Sequence, residues 1–287
     1  MANPTLQTYL TQTQRLLHDS NFKYWTQQTL IDAINTAQKR VVGDSGCNRQ
    51  LQTIYLSGGL ELYAYGSVSG CLVKSGGSGY VSPVVTFDPP STAGGVTATG
   101  TVVLLNGAVS QILVTNGGNG YTTTPNAVVT DTGGGVGANL TASILNPNTL
   151  DTLSIATLWG TERIVLSRIA FTALQASIRS WVGYTQRPCY YSSYGQNGWY
   201  IGPIPDQFYA SEWDTIINPT DLVNLTDVSV IQYPYSECVS YYAAHMAKFM
   251  EQSYAEAEKF LEYYQQKMRY SLRSVMMRQL PTSYGGA

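Results

Sequence analysis

The segments GSVSGCLVKSGGSGY (66–80) and GAVSQILVTNGGNGY (107–121) align without gaps at an offset of 41 residues. A second pair, GGVTATGTVVL (94–104) and GGVGANLTASI (134–144), aligns at an offset of 40 residues. Self-similarity at a fixed period is typical of a duplicated supersecondary unit. Short Val, Leu and Thr runs between glycine-rich turns are typical of β-strands. The two pairs therefore predict an all-β domain built from two repeats.

The segment from 66 to about 145 differs in composition from the chain on either side. It contains 16 of the 27 glycines and only three charged residues, Lys74, Asp88 and Asp131. The flanking segments instead place apolar residues at helical spacing. We therefore predict an α+β fold, in which a mainly α-helical body with a long C-terminal helix and a short β element is interrupted by an inserted all-β domain. The predicted parts are a first helical part at 1–65, the β-repeat insert at 66–148, and a second helical part at 149–287 with an extended C-terminal tail.

Three elements are predicted within the second helical part. Residues 161–181 carry apolar residues near one helical stripe, which indicates a helix. The sequence GQNG (195–198) between two aromatic runs predicts a β-hairpin. From Pro234 to about Met277 apolar residues recur at helical spacing without Gly or Pro, which predicts one helix about 60 Å long. We expect neighbouring subunits to cover so long a helix.

The composition indicates a surface that other proteins cover. Charged residues make up 12% of the chain, against a typical value of about 25%, and the chain has 22 tyrosines. Tyrosine provides contact area at low entropic cost. The net charge of −2 argues against a chain that binds nucleic acid along its whole surface. The N-terminal sequence has no signal region, and the four cysteines form no CxxC pair, so we expect reduced thiols and an intracellular assembly site.

Motifs that carry catalysis are missing from the sequence, which has no GxSxG, SxxK or HExxH. The two histidines, His18 and His245, have no neighbouring ligands at metal-binding spacing. Asp206, Glu212 and Asp214 cluster around Trp213, which is the one weak sign of a glycan-cleaving site. We therefore predict a structural protein that is not an enzyme and has no cofactor and no metal.

The segment LQTYLTQTQRLLHDSNFKYWTQQTLIDAINTAQKRVV (6–42) resembles the start of head-to-tail adaptor (head-completion) proteins of tailed bacteriophages, particularly short-tailed ones. The matching features are an acidic-Asn turn, a Trp-Thr cap and an L-x-x-x-I-N-x-A helix. In this sequence they are Asp19-Ser20-Asn21, Trp25-Thr26, Leu30, Ile34-Asn35 and Ala37. The segment GWYIGPIPDQFYASEWDTIINPTDL (198–222) is similar to the family's strand that ends in a proline pair, and the GGSGY-like repeats are similar to modules of phage structural proteins.

The resemblance implies a virion protein of the neck or tail, assembled in the host cytoplasm. Such adaptors form a homo-oligomeric ring, commonly a dodecamer, between the portal protein and the tail nozzle or tail tube protein. DNA then passes through the channel only as cargo. No apolar stretch approaches the roughly 20 residues needed to span a bilayer, so no membrane is expected as a partner. A tail fibre or spike is a further partner, through the β insert. The exposed aromatic residues and β repeats leave an alternative open, a host-attachment or carbohydrate-binding tail component.

Two sets of interaction residues are predicted. The basic C-terminal end is interpreted either as a solvated helix end that complements the helix dipole, as a tail that docks into an acidic groove of a partner, or as a DNA contact. The docking hypothesis, with the portal as partner, assigns Lys267, Arg269, Arg273, Arg278, Leu280 and Tyr284. The outward residues assigned to the interface between neighbouring subunits are Tyr241, Tyr254, Tyr263 and Met268.

Overall fold

The computed structural model describes residues 3–19, 21–177, 183–195 and 198–276. The chain divides into two compact units. The terminal unit comprises Met1–Arg49 and Ile216–Ala287, and the central unit comprises Gln50–Thr215. Strands account for 38% of the structure and helices for 28%. The prediction of a mainly α-helical body is therefore wrong, because much of the sequence on both sides of the repeats folds as β-strands.

The helices and strands follow one another along the chain in this order: α1 (Leu6–Leu17), α2 (Gln27–Ser45), β1 (Arg49–Leu56), β2 (Leu62–Ala64), β3 (Val68–Ser78), β4 (Pro83–Phe87), β5 (Thr99–Leu105), β6 (Ala108–Asn116), β7 (Ala127–Asp131), β8 (Val136–Ile144), β9 (Thr149–Trp159), β10 (Glu162–Val165), β11 (Ser167–Arg168), α3 (Phe171–Ser177), β12 (Tyr190–Tyr194), β13 (Gly198–Gly202), β14 (Tyr209–Ile217), α4 (Ser236–Met250) and α5 (Tyr254–Met276).

The terminal unit contains α1, α2, α4 and α5 around one core. Thr5 and Thr26 are the N-caps of α1 and α2, because their hydroxyls accept the backbone N–H groups of Thr8 and Thr29. Each helix contributes a stripe of buried apolar residues. These include Leu6, Tyr9, Leu10, Leu30, Ile34, Ala37, Val41, Val239, Ala243, Tyr264 and Met268.

The predicted single helix from Pro234 to Met277 is wrong, because the chain forms an α-helical hairpin of α4 and α5. Gln252 adopts a left-handed backbone conformation with φ 64°, which ends the first helix. The two helices run antiparallel, since Lys267 contacts Glu237 near one end and a ring nitrogen of His245 lies 2.8 Å from the Ala257 carbonyl oxygen near the other. The sequence pattern misleads because each helix has its own apolar stripe. The hairpin buries both stripes within one subunit.

We expect Gln252→Gly to stabilise the terminal unit by about 0.5–1 kcal/mol, since glycine adopts a positive φ without the steric cost of a Cβ. The matched control is Gln265→Gly, at an exposed position within α5, which should destabilise the unit by about 1 kcal/mol. Thermal denaturation followed by far-UV circular dichroism measures both. A lower melting temperature for Gln252→Gly would contradict the turn geometry.

The central unit contains two four-stranded sheets, with strand orders β1-β14-β9-β10 and β11-β12-β13-β2. Alternate residues of β14 are buried, among them Tyr209, Ser211 and Trp213, which is the period of two expected of a strand. The core of these sheets includes Ile54, Leu56, Tyr63, Leu145, Ile155, Tyr191, Trp199, Ile201 and Trp213.

The predicted helix at 161–181 is also wrong within the described residues. Its first part forms β10, which pairs antiparallel with β9, and β11, which pairs parallel with β12. Only Phe171–Ser177 is helical, and the end of the predicted helix, from 178 onward, lies outside the described residues. The run Ile164-Val165-Leu166 explains why a strand forms where a helix was predicted, because a short apolar run is compatible with a buried strand as well as with the apolar stripe of a helix.

The predicted β-hairpin around 195–198 is confirmed by the pairing of β12 with β13. The strands are antiparallel from Tyr190 opposite Gly202 to Tyr194 opposite Gly198. Residues 196 and 197 of the turn lie outside the described residues.

The two sequence repeats occupy equivalent positions in three strand pairs. The first strand of each copy pairs with the last strand of the other, β3 with β8 and β6 with β5, and the middle strands β4 and β7 pair with each other. The equivalent tyrosines make equivalent contacts, since Tyr80 accepts the Ala138 N–H and Tyr121 accepts the Ala98 N–H at their hydroxyls. The repeats are therefore related by a pseudo-two-fold axis.

The repeats have a hydrophobic core of their own, which includes Val68, Cys71, Tyr80, Val85, Phe87, Val109, Ile112, Val114 and Tyr121. Their two ends meet, because the Gly66 N–H donates to the Leu145 carbonyl at 2.8 Å. The two compact units do not separate residues 66–148 from the strands on either side, so that domain boundary stays a prediction.

Candidate interaction surface of the terminal unit

Three of the four residues assigned to the subunit interface lie on the α4–α5 hairpin with exposed or half-buried side chains. The rings of Tyr241 and Tyr263 are 6.1 Å apart and tilted against each other across the hairpin. Tyr254 is exposed at the start of α5. Met268 is 6% exposed and belongs to the core, because it continues the stripe of Tyr264 one turn along α5. Met268 is therefore not an outward residue.

Only some of the residues assigned to portal docking have exposed charges without an ion-pair partner in the described part of the chain. The Lys267 ammonium lies 2.8 Å from the Glu237 carboxylate, and this hydrogen bond raises the pKa of Lys267. Arg269 and Arg273 are exposed and have no ion pair within the described part of the chain. Arg278, Leu280 and Tyr284 lie outside the described residues. Of the four basic residues assigned to docking, Arg269 and Arg273 are therefore the two that carry an unpaired positive charge within the described residues.

The opposite end of the hairpin carries an aromatic surface, of which only Tyr254 was predicted from the sequence. We call it the hairpin-end patch, formed by Tyr24, Trp25, Lys248, Phe249, Met250 and Tyr254. Four of its side chains are largely exposed, Tyr24 at 70%, Phe249 at 57%, Met250 at 55% and Tyr254 at 58%. The rings of Phe249 and Tyr254 contact edge to face with centroids 5.4 Å apart, and the Lys248 ammonium lies 5.3 Å from the centre of the Trp25 ring.

The charge within the hairpin-end patch is neutralised locally. The Lys248 ammonium lies 3.0 Å from the Glu251 carboxylate and 2.9 Å from that of Glu256. Its hydrogen bond with Glu256 raises the pKa of Lys248 and lowers the pKa of Glu256. The patch therefore presents aromatic and apolar groups with little net charge. Such a surface fits another protein surface better than it fits nucleic acid.

Asp19 fixes the loop that carries Tyr24 and Trp25. Its carboxylate accepts the backbone N–H groups of Lys23, Tyr24 and Trp25 at 2.8, 2.9 and 3.2 Å. Burial of the carboxylate acts to raise its pKa, but these donors outweigh burial and hold the pKa below its ordinary value. Both aromatic residues are thus held on an ordered backbone.

One sequence signal could have located the hairpin and its end. Ser253 and Glu256 form an S-x-x-E pattern, which is typical of a helix start. The Ser253 carbonyl accepts the Ala257 N–H at 3.0 Å, in agreement with a first turn at this position.

The acidic residues considered for glycan cleavage have structural partners. Asp206 accepts the Tyr209 hydroxyl at 2.7 Å, and Glu212 pairs with Arg163 at 2.6 Å. Among the described residues, no group of three or more His, Cys, Asp or Glu is placed to hold a metal ion. None of the described helices combines the length and the apolar character that a membrane span requires.

No protein-family model matches the chain, and no curated protein is significantly similar to it.

Proposed function

We propose that the chain is a structural, non-enzymatic virion protein of a tailed bacteriophage, a head-to-tail adaptor. Copies of it form a ring between the portal and the tail and continue the DNA channel. The observation that carries the proposal is the hairpin-end patch, which has four largely exposed aromatic and Met side chains and a lysine that is paired with carboxylates. Exposed apolar surface of this kind is typical of a protein whose working state includes partners.

The residues of the family resemblance have structural roles that support the proposal. Asp19 orders the turn before α2 and Thr26 caps that helix. Leu30, Ile34 and Ala37 face the core. Asn35 makes a reciprocal pair of hydrogen bonds with the backbone of Leu222, donating at 3.1 Å and accepting at 2.9 Å. The resembling pattern thus describes one folded motif rather than scattered matches.

In the proposed ring the hairpin-end patch of one copy contacts the next copy in a head-to-tail interface that closes. Single contacts of this kind are weak in the free protein, and the portal provides many adjacent sites that raise the effective concentration. Arg269 and Arg273 face an acidic surface of the portal. The low net charge lets DNA pass as cargo without being held.

The test replaces Phe249 and Tyr254 together by serine and compares the variant with Tyr184→Ser, which removes an exposed tyrosine (47%) of the central unit that belongs to neither proposed contact surface. Incorporation into particles, measured by quantitative immunoblotting after sedimentation, should fall at least tenfold for the double variant and stay unchanged for the control. Light scattering should find the free wild-type protein to be a monomer or small oligomer at micromolar concentration. Electron microscopy of the particle should locate a ring at the neck. Wild-type incorporation of the double variant, or density elsewhere in the particle, contradicts the proposal.

A further inference from the structure

The central unit carries a concave polar site of about 480 Å³ between β9, β11 and the β12–β13 hairpin. The side chains at this site include Tyr65, Asp151, Arg168, Ser193 and Trp199. A cavity of this size lies in the range of small-molecule sites, about 300–1,000 Å³. All of its residues belong to the central unit, whereas the residues of the hairpin-end patch belong to the terminal unit.

A buried aromatic layer holds Arg168 in place at this site. Its guanidinium carbon lies 5.1 Å from the centre of the Trp199 ring, which is itself buried. The Trp199 Nε1–H donates to the Tyr65 hydroxyl at 2.8 Å, and that hydroxyl lies 3.4 Å from the hydroxyl of Thr152. The guanidinium is therefore positioned before any ligand arrives, which lowers the entropic cost of binding.

Asp151 faces Arg168 without forming a tight ion pair. The Asp151 Oδ1 lies 3.7 Å from Arg168 Nη2, beyond the roughly 2.7–2.9 Å of a charge-assisted hydrogen bond. The same oxygen accepts the Thr152 N–H at 2.8 Å, which orients the carboxylate. Both side chains are nearly half exposed. A positively charged hydrogen-bond donor and a negatively charged acceptor are therefore adjacent and accessible to a ligand. Because the two charges cancel, the site favours neither an anion nor a cation.

We infer that this site binds a neutral saccharide through adjacent hydroxyl groups. A hydroxyl both donates and accepts hydrogen bonds. One sugar hydroxyl accepts from the Arg168 guanidinium while its neighbour donates to the Asp151 carboxylate. The exposed Ser193 hydroxyl contacts a third position. A saccharide matches the polar side chains and the balanced charge of the site, whereas an apolar ligand would leave both charged groups without partners.

The experiment is saturation-transfer NMR on the full chain with four sugars at millimolar concentration, methyl α-D-glucopyranoside, methyl α-D-mannopyranoside, N-acetylglucosamine and L-rhamnose. We expect transfer to the ring protons of at least one of them and at least a tenfold loss of affinity in Arg168→Ala. The matched control is Arg163→Ala, which removes another half-exposed arginine paired with a carboxylate of the same unit. It should bind as the wild type does.

A second variant keeps the test decisive if Arg168→Ala disturbs folding. Ser193→Trp leaves Arg168 and Asp151 unchanged but fills the site from an exposed position, and it should abolish the transfer. No transfer to any of the four sugars in the wild type overturns the inference. Equal losses in Arg168→Ala and Arg163→Ala, or full binding by Ser193→Trp, place the sugar elsewhere and also overturn it.

Discussion

Replacement of Gly77 by alanine is expected to destabilise the central unit by more than about 3 kcal/mol, enough to unfold the repeats. Gly77 has a φ of +62°, and a Cβ at this position would overlap the Val136 carbonyl oxygen and lie 2.7 Å from the Ala138 backbone nitrogen. Both atoms belong to the paired strand β8, so neither can move without breaking the strand pair. The cost therefore comes from a backbone collision as well as from the positive φ.

The matched control is Gly94→Ala, because Gly94 also has a positive φ, +80°, but has open space around its Cβ position. It should cost only about 1–2 kcal/mol, the ordinary cost of a left-handed alanine. Gly118→Ala should behave like Gly77→Ala, since its Cβ would meet Val96 and Ala98 in the equivalent positions of the other copy. Chemical denaturation of the three variants measures the differences. Equal stability of Gly77→Ala and Gly94→Ala would contradict the prediction, because it would mean that the backbone collision at position 77 adds no cost.

Deletion of residues 67–144, with a short Gly/Ser linker between Gly66 and Leu145, is expected to leave a folded protein with its helical signal intact. The two ends already share a backbone hydrogen bond, so closing the gap costs little entropy. Helices α1, α2, α4 and α5 belong to the terminal unit and have no residues in the deleted segment. Some loss of stability is expected, because the Ser57 hydroxyl loses the Val114 N–H that donates to it at 2.8 Å.

A second deletion also removes Leu145. Comparing the two deletions distinguishes the contribution of the insert to stability from that of the surrounding core. Leu145 is almost completely buried in the core of the four-stranded sheets, so we expect this variant to lose a further 2–5 kcal/mol. Far-UV circular dichroism and thermal denaturation measure the helical content and the stability of both deletion variants. Collapse of the helical signal in the shorter deletion would contradict the separability of the repeats.

The repeats could be predicted from the sequence because their turns depend on glycine. Gly79 and Gly120 are equivalent positions with φ of +79° and +83°, so the same residue type must recur at the same offset. The strands around the repeats could not be predicted in the same way. In β9, for example, Ile155, Ala156 and Thr157 are buried in succession, and such a run fits a buried strand or a buried helix equally well.

The candidate surface was only partly visible in the sequence. Tyr254 and Tyr263 are exposed as predicted, whereas Met268 is not, because apolar spacing alone does not tell which stripe of a helix meets the core. The hairpin-end patch joins Tyr24 and Trp25 to residues more than two hundred positions later. No local pattern links such distant residues, and only the tertiary structure brings them together.

The exchange of strands between the two repeats has an evolutionary consequence. Neither copy has its own partner for its first or last strand, so a single copy of about 40 residues would have no complete sheet. Two separate copies could supply each other's partners across a true two-fold axis. This is the arrangement expected of an ancestral homodimer whose gene was duplicated and fused in frame. The two halves of the present chain differ in residue type at matching contacts, since Asp131 accepts the Val81 N–H at 3.1 Å and Ser91 accepts the Thr122 N–H at 3.4 Å.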